Sequence, residues 1–345
     1  MPENNTLVEI KDLHTNFYLA EGVVRAVDGV DLTINRGQTM GIVGESGCGK
    51  SVTGYSMLQL VSPPGKIVSG EILFYKSDWE RTGINQTEVI NITQLDPNGK
   101  EIRDIRGNHI SMVYQEPMTA MSPVRTIGQQ IIEAIILHQK VNKQEARERA
   151  IAMLSRVKMS RPEKVIDDYP FQLSGGMRQR AVIAMALSCK PSLLIADEPT
   201  TALDVTTEAQ ILMLMRELQE EFGMAIMFIT HNMGVIAEMA EEVCVMYLGK
   251  VVEQADIKSI FFNPLHPYTR GLLASIPQLK DAVRKDRAVH HLNVILGMVP
   301  DPYTRLKGCP FHPRCPSFIP NVCDQIEPKV VNVDVNHTVR CHLYS

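Results

Sequence analysis

The run Gly44-Glu45-Ser46-Gly47-Cys48-Gly49-Lys50-Ser51 constrains this chain more than any other stretch. Its glycines let the backbone turn so that successive N–H groups point inward and form a nest for an anion. A helix beginning near Lys50 adds the positive end of its dipole. Lys50 suits the β- and γ-phosphates of a nucleotide, and the Ser51 hydroxyl suits magnesium. The context this reading needs is present. Thr39–Val43 is an apolar run fit for a buried strand, and Ser51–Leu60 reads as a helix. Such a pattern arises by chance in about one chain in a hundred of this length. The flanking strand and helix therefore decide for a phosphate site over a plain Gly-rich turn.

A second element lies downstream. Ser192-Leu193-Leu194-Ile195-Ala196-Asp197-Glu198 is an apolar strand ending in two carboxylates. At the carboxyl edge of an open α/β sheet, Asp197 would hold magnesium and Glu198 would polarise the water that attacks the γ-phosphate. Alone, the pair reads more readily as two solvated acids. Beside a phosphate loop it does not.

The rest of the chain fits one sheet. Residues 7–43 read as strands and hairpins, and Ile110–Tyr114, Leu193–Ala196 and Ile226–Ile229 as buried strands. Thr126–Gln139, Lys143–Val157, Arg178–Ser188 and Thr206–Phe222 have helical spacing. Residues 76–108 are polar, without period, and read as an insertion or long loop. Strands alternating with helices predict a largely parallel sheet in an α/β fold. After about residue 255 prolines become frequent, which predicts a small C-terminal extension. The formal net charge of −4 argues against a nucleic-acid partner, which would favour a basic excess. No apolar run approaches the ~20 residues that span a bilayer. Met1–Asn5 is polar and acidic, unlike a secretory leader, so a cytoplasmic location is expected.

Four further elements resemble the ATP-binding-cassette (ABC) ATPases. Leu173-Ser174-Gly175-Gly176-Met177 is similar to the family signature, with Met177 where the family usually has Gln. A serine hydroxyl, two glycines and a helix N-terminus suit a second phosphate clamp, although an ordinary helix cap at Ser174 explains the same residues. Gln115 matches the Q-loop glutamine, Ala202-Leu203-Asp204 the D-loop, and His231 the switch histidine. The resemblance spans about residues 7–270. It implies an ABC-type nucleotide-binding domain over residues 1–256: a RecA-like core, an antiparallel β subdomain and a helical subdomain at about 116–190. Residues 257–345 would form the C-terminal extension.

The resemblance also implies roles. Glu198, His231 and Gln115 would be catalytic. Gly44, Glu45, Ser46, Gly47, Cys48, Gly49, Lys50, Ser51 and Val52 would bind ATP, with Phe17 stacking on adenine and Tyr18 as the other candidate. Ser51, Gln115 and Asp197 would hold Mg2+. Ser174, Gly175, Gly176 and Met177 would clamp ATP held by a partner subunit, and Asp204 would communicate across the dimer.

Within the family, Gly41–Gly47, Tyr114–Pro123, Pro264–Arg270 and Gly308–Pro316 look like the D-type ATPase of oligopeptide/dipeptide permeases. That implies a peptide importer. It also implies a peripheral place for this chain at the cytoplasmic face of the cell (inner) membrane, with a second, related ATPase subunit, two transmembrane permease subunits and, indirectly, an extracytoplasmic solute-binding protein. Similar ATPases serve oligosaccharides and nickel. In this subfamily the tail cysteines are associated with a 4Fe–4S cluster, for which Cys309, Cys315, Cys323 and Cys341 would supply the four thiolates. Zinc also accepts four thiolates, and small apolar cysteines packing a proline-rich segment need no metal. His312 and His342 rank lower as ligands.

Three rival readings carry less. A non-transport ABC ATPase would favour a coiled coil, a second cassette or a basic arm. A small-molecule kinase leaves Leu173–Met177 without a role. A protein that binds without hydrolysing has no use for the full acid–histidine set.

Overall fold

The computed structural model describes residues 5–77, 87–115, 120–201, 203–276 and 295–345. Its strands are β1 (Thr6–Leu19), β2 (Gly22–Asn35), β3 (Thr39–Val43), β4 (Gly65–Ser77), β5 (Thr87–Asn91) and β6 (Ile110–Val113), followed by β7 (Leu193–Asp197), β8 (Ala225–Ile229), β9 (Glu242–Tyr247), β10 (Lys250–Asp256), β11 (Val331–Asp334) and β12 (His337–Val339). They form two sheets. One is antiparallel, in the order β2-β1-β4-β5. The other has the order β11-β12-β10-β9-β3-β8-β7-β6. Its five strands from β9 to β6 are parallel, and the remaining three pair antiparallel.

The parallel strands are short, and β3, β6, β7 and β8 are buried along their whole length. Covered on both faces, they need no polar alternation, which is why they read as continuous apolar runs. Successive side chains still point to opposite faces. Leu194, Ala196, Ile226, Phe228, Val243 and Val245 enter one core. Leu193, Ile195, Met227, Ile229, Cys244 and Met246 enter the other, with the antiparallel sheet.

The first core is closed by helices with clear start signals. Ile127–His138 begins at Thr126 with a capping box completed by Gln129. Lys143–Arg156 is capped by Asn142, Gly175–Leu187 by Ser174 and Val205–Phe222 by Asp204. The last of these stops at Gly223, whose φ of 63° is left-handed and ends the helix. These helices bury Ile131, Ile135, Leu154, Ile183, Leu187, Leu212 and Met215 against the sheet.

The strands expected at Thr39–Val43, Ile110–Tyr114, Leu193–Ala196 and Ile226–Ile229 are all present, shifted by at most one residue at either end. Residues 76–108 correct the expectation of an insertion or long loop. Within them β5 pairs with β4, a 3-10 turn covers Ile92–Gln94 and a helix covers Lys100–Ile105; residues 78–86 lie outside the described part. Ile92, Ile102 and Ile105 are isolated apolar residues in a polar stretch, and each is buried in the second core. Single anchors of that kind leave no period in the sequence.

The C-terminal strands belong to the large sheet. β12 pairs with β10 through Glu253↔Val339 and Gln254↔Thr338. Glu253 is fully buried there and accepts from the Leu265 and His266 amides (2.7 and 2.8 Å) and faces His337 Nε2 at 2.9 Å. A buried carboxylate is tolerable because its oxygens are partnered. No helix among the described residues is long and apolar enough to cross a membrane.

Leu194→Ala removes a fully buried side chain from the central sheet. It should destabilise the protein by roughly 2–5 kcal/mol, read as a lowered midpoint of urea unfolding.

Candidate functional site

In a parallel sheet every strand ends on the same edge. β3 runs into Gly44, β7 ends at Asp197 with Glu198 next, Gln115 lies two residues past β6 and His231 two past β8. Four separate stretches of sequence thus meet at one carboxyl edge, where open α/β sheets place their ligands.

The glycine loop is shaped by close backbone approach. Gly44 has a φ of 152°, and a Cβ there would stand 2.2 Å from the Met246 carbonyl oxygen. Gly49 has a φ of 103°, and its Cβ would stand 2.0 Å from the Ala26 oxygen. Gly49 caps the helix Lys50–Met57 without a side-chain acceptor, so the first amides of that helix have no side-chain cap. Ser46 and Gly47 form the exposed apex, whereas Cys48 is buried and Val52 packs half-buried on the second core. Lys50 is only 6% exposed and donates from Nζ to the carbonyls of Gly44 (2.8 Å) and Glu45 (3.0 Å). Glu45 itself turns toward the tail: its N–H donates to the Tyr268 hydroxyl at 2.8 Å and its carboxylate pairs with Arg314.

Ser51 Oγ donates to Asp197 Oδ1 at 2.9 Å, and the Tyr55 hydroxyl reaches Asp197 Oδ2 at 3.4 Å. Burial is the main influence on Asp197 and pushes its carboxyl up; the Ser51 hydrogen bond works against that shift and the neighbouring Glu198 charge adds to it. A cation replacing the Ser51 contact would reverse the balance.

Glu198 is the hub of the second half. Its backbone is left-handed, with a φ of 45°, and its N–H is fixed to the Ile229 carbonyl at 2.9 Å. A non-glycine residue in that region is uncommon and carries some backbone strain. One carboxylate oxygen lies 2.9 Å from His231 Nδ1, and the other accepts from Gln115 Nε2 (2.9 Å) and Thr201 Oγ1 (3.0 Å). Burial alone would raise its pKa. The hydrogen bonds from His231 and Thr201 outweigh burial, and Glu198 is held below the usual carboxylate range. At neutral pH it is an ionised acceptor. The structure therefore gathers Gln115, Glu198 and His231 at one carboxylate and ties Ser51 to Asp197.

Tyr55 and Thr201 join the site without having been expected there. Tyr55 lies four residues after Ser51, one helical turn on, so helical spacing is the signal that points to it. Thr201 lies three residues after Glu198, within reach of a local side-chain bond.

The remaining expected residues are placed elsewhere. Ser174 and Gly175 are exposed, and the Ser174 hydroxyl caps its helix by accepting from the Met177 N–H at 3.4 Å. Gly176 lies against Thr207, where a Cβ would stand 2.7 Å from its methyl. Asp204 caps the helix Val205–Phe222 through the Thr207 N–H and hydroxyl; Ala202 lies outside the described residues. Phe17 is half-buried with its ring against Gly65, whereas Tyr18 is 44% exposed with Lys66 over its ring.

The four tail cysteines are free thiols, three of them buried. Among the described residues no group of three or more His, Cys, Asp or Glu side chains is placed to hold a metal ion. The expected ligand set, whether for a cluster or for zinc, is therefore not formed by these side chains as they stand. Burial pushes the Cys309 thiol up to about 12, with the other three cysteines adding to the shift. His312 and His342 face backbone carbonyls, those of Cys309 and Ile326, at 2.8 Å each.

Residues 27–201 match the family described as "ABC transporter", and residues 252–323 match "Oligopeptide/dipeptide transporter, C-terminal region". The chain is 47% identical over 341 residues to the oligopeptide transport ATP-binding protein AppD of Bacillus subtilis (strain 168), covering 99% of this chain and 97% of that one. It is 45% identical over 338 residues to the dipeptide transport ATP-binding protein DppD of the same organism, covering 98% and 94%. Among solved structures, the ATP-binding cassette MJ0796, a dimer in a post-hydrolysis state bound to ADP and Pi, superposes with a TM-score of 0.61. It shares 28% identity and covers 73% of this chain and 99% of its own.

Gly49→Ala should weaken binding of a nucleoside triphosphate by about tenfold or more, from the strain and the contact with Ala26 together. Titration calorimetry with ATP checks this, and unchanged affinity would show that the loop does not need its left-handed glycine.

Proposed function

This chain belongs to the ABC transporter family, and on that footing we propose that it is the subunit whose ATP hydrolysis drives a peptide importer. It is an ABC-type ATPase. The reading of peptide import rests on the match of its C-terminal region and on the names of its relatives.

The observation that carries the mechanism is the Glu198 carboxylate, held by Gln115, Thr201 and His231 at 2.9–3.0 Å beside Asp197. In our reading the amides of the 44–51 loop cradle the phosphates, and Lys50 exchanges the Gly44 and Glu45 carbonyls for phosphate oxygens. Ser51, Asp197 and Gln115 offer an all-oxygen donor set, since Gln115 turns its amide nitrogen to Glu198 and keeps its carbonyl for a cation. That set would suit Mg2+, which would offset charge on the phosphates when bound. Glu198 accepts the proton of the attacking water as the water oxygen bonds to the γ-phosphorus. The bond to the β–γ bridging oxygen breaks, leaving ADP and phosphate. His231 and Gln115 hold the carboxylate in line, and adenine stacks on an aromatic of β1, where the exposed ring of Tyr18 is better placed than Phe17.

The exposure of Ser174 and Gly175 at the start of the Ser174–Met177 segment supports a head-to-tail dimer, because a phosphate clamp that faces outward needs ATP carried by another subunit. We infer that the partner is a second, related ATPase. Together they would dock on two permease subunits at the cytoplasmic face of the membrane, fed by a binding protein outside.

We keep a 4Fe–4S cluster on Cys309, Cys315, Cys323 and Cys341 within the proposal for one reason. Each of these thiols lies within electrostatic reach of the other three, and a cluster of several atoms needs a wider ligand cage than a single ion. Anaerobic reconstitution with iron and sulfide should give a brown protein whose visible absorbance is lost in Cys309→Ser. A colourless product would remove the cluster from this reading.

Glu198→Gln should lower turnover at least about a hundredfold while leaving ATP affinity close to that of the parent chain. Steady-state phosphate release and equilibrium binding measure the two halves, and undiminished hydrolysis would take Glu198 out of the mechanism.

A further inference from the structure

Glu45 sits inside the loop that receives a triphosphate, where a free carboxylate would repel the ligand. Like charges a few ångströms apart in so sheltered a place would weaken binding. This carboxylate is not free. Arg314, from the far end of the sequence, grips it with both arms of its guanidinium: Nη1 donates to Oε2 at 2.6 Å and Nη2 to Oε1 at 3.0 Å. The Arg314 side chain is 4% exposed. Its Nη1 also reaches the Tyr247 hydroxyl at 3.4 Å, and its Nε the Leu296 carbonyl at 3.4 Å.

The same part of the fold holds the loop backbone. The buried Tyr268 accepts the Glu45 N–H. Phe311, three residues before Arg314, packs on Tyr247, Tyr268 and His266 with ring centres 5.2, 5.4 and 5.7 Å away. Arg314 is thus delivered by an aromatic cluster and not by a loose tail. A buried ion pair contributes little net stability compared with apolar residues of the same shape, so stability alone is a weak reason for one here. What the pair does supply is a loop mouth with its carboxylate neutralised and its first turn fixed.

We propose that Arg314 is a positioning residue for the triphosphate site, neutralising Glu45 and holding the entry of the 44–51 loop so that ATP binds without facing a bare carboxylate. The inference deepens the reading of that loop as the ATP site and rests on it.

The test uses the full chain with Mg-ATP. Arg314→Gln should raise the KM and the equilibrium dissociation constant for ATP about tenfold, with kcat changed by no more than about twofold. Removing both charges in Glu45→Gln/Arg314→Gln should bring affinity back to within about threefold of the parent, which a merely structural role would not do. Unchanged affinity in Arg314→Gln, or no recovery in the double variant, overturns the proposal. If Arg314→Gln does not fold, Arg314→Lys keeps the charge but gives up the two-armed grip, so ATP affinity should fall by about threefold; a loss of about tenfold or more there overturns the proposal as well. Lys50→Ala separates the two levels. Normal ATP binding in that variant would reject the site itself, whereas lost binding there alongside an unaffected Arg314→Gln would reject this inference alone.

Discussion

A strand covered on both faces has only its ends to offer to solvent, and the rest of this molecule follows from that constraint. The central parallel strands spend their side chains on two separate cores. Their amino ends are followed back by helices, and their carboxyl ends open together on one edge. Gly44, Gln115, Glu198 and His231 are distant in sequence and adjacent in space because each directly or closely follows a strand of that sheet. The backbone bond from Glu198 to the Ile229 carbonyl shows how tightly this edge is built, since it ties the carboxyl ends of β7 and β8 together.

Such an edge sets an electrostatic problem. It must receive a highly charged anion, yet it carries Glu45, Asp197 and Glu198. Each acid is handled differently. Glu45 is covered by a guanidinium from the C-terminal part of the fold. Asp197 is buried, pushed toward its neutral form and bonded to Ser51, which fits the cation proposed to sit there. Glu198 is gripped by His231, Thr201 and Gln115 and held below the usual carboxylate range, which suits the base proposed for it. Three carboxylates on one edge thus have three different surroundings, set by their neighbours.

Much of this is legible in the amino-acid sequence. The glycine loop, the paired acids and the buried strands announce themselves locally, through spacing, apolar runs and residue type. The helix Gly175–Leu187 begins three residues earlier than its apolar pattern suggests, because Ser174 caps it. What the sequence hides is non-local. β5 has no amphipathic signal of its own and exists because β4 offers it an edge. β9 and β10 were not among the expected strands either, although Val243–Tyr247 is a run of buried residues. No spacing rule joins Glu45 to Arg314, which are 269 residues apart. The tail cysteines are the strongest compositional signal after the glycine loop, and they are the feature for which the geometry supplies the least: four thiols near one another, and, among the described residues, no formed ligand group.

The pairing of β12 with β10 has a consequence for how the protein is made. Synthesis runs from the amino end, so the phosphate loop leaves the ribosome long before residues 268, 314 and 337 exist. Until then the nascent chain carries β10 as an open sheet edge, Glu253 without its histidine, and a loop acid with nothing opposite it. If the Arg314–Glu45 pair acts as proposed, nucleotide capture is tied to completion of the polypeptide: an ATPase truncated before its final turns would emerge with its sheet unfinished and its entrance still repelling its own fuel.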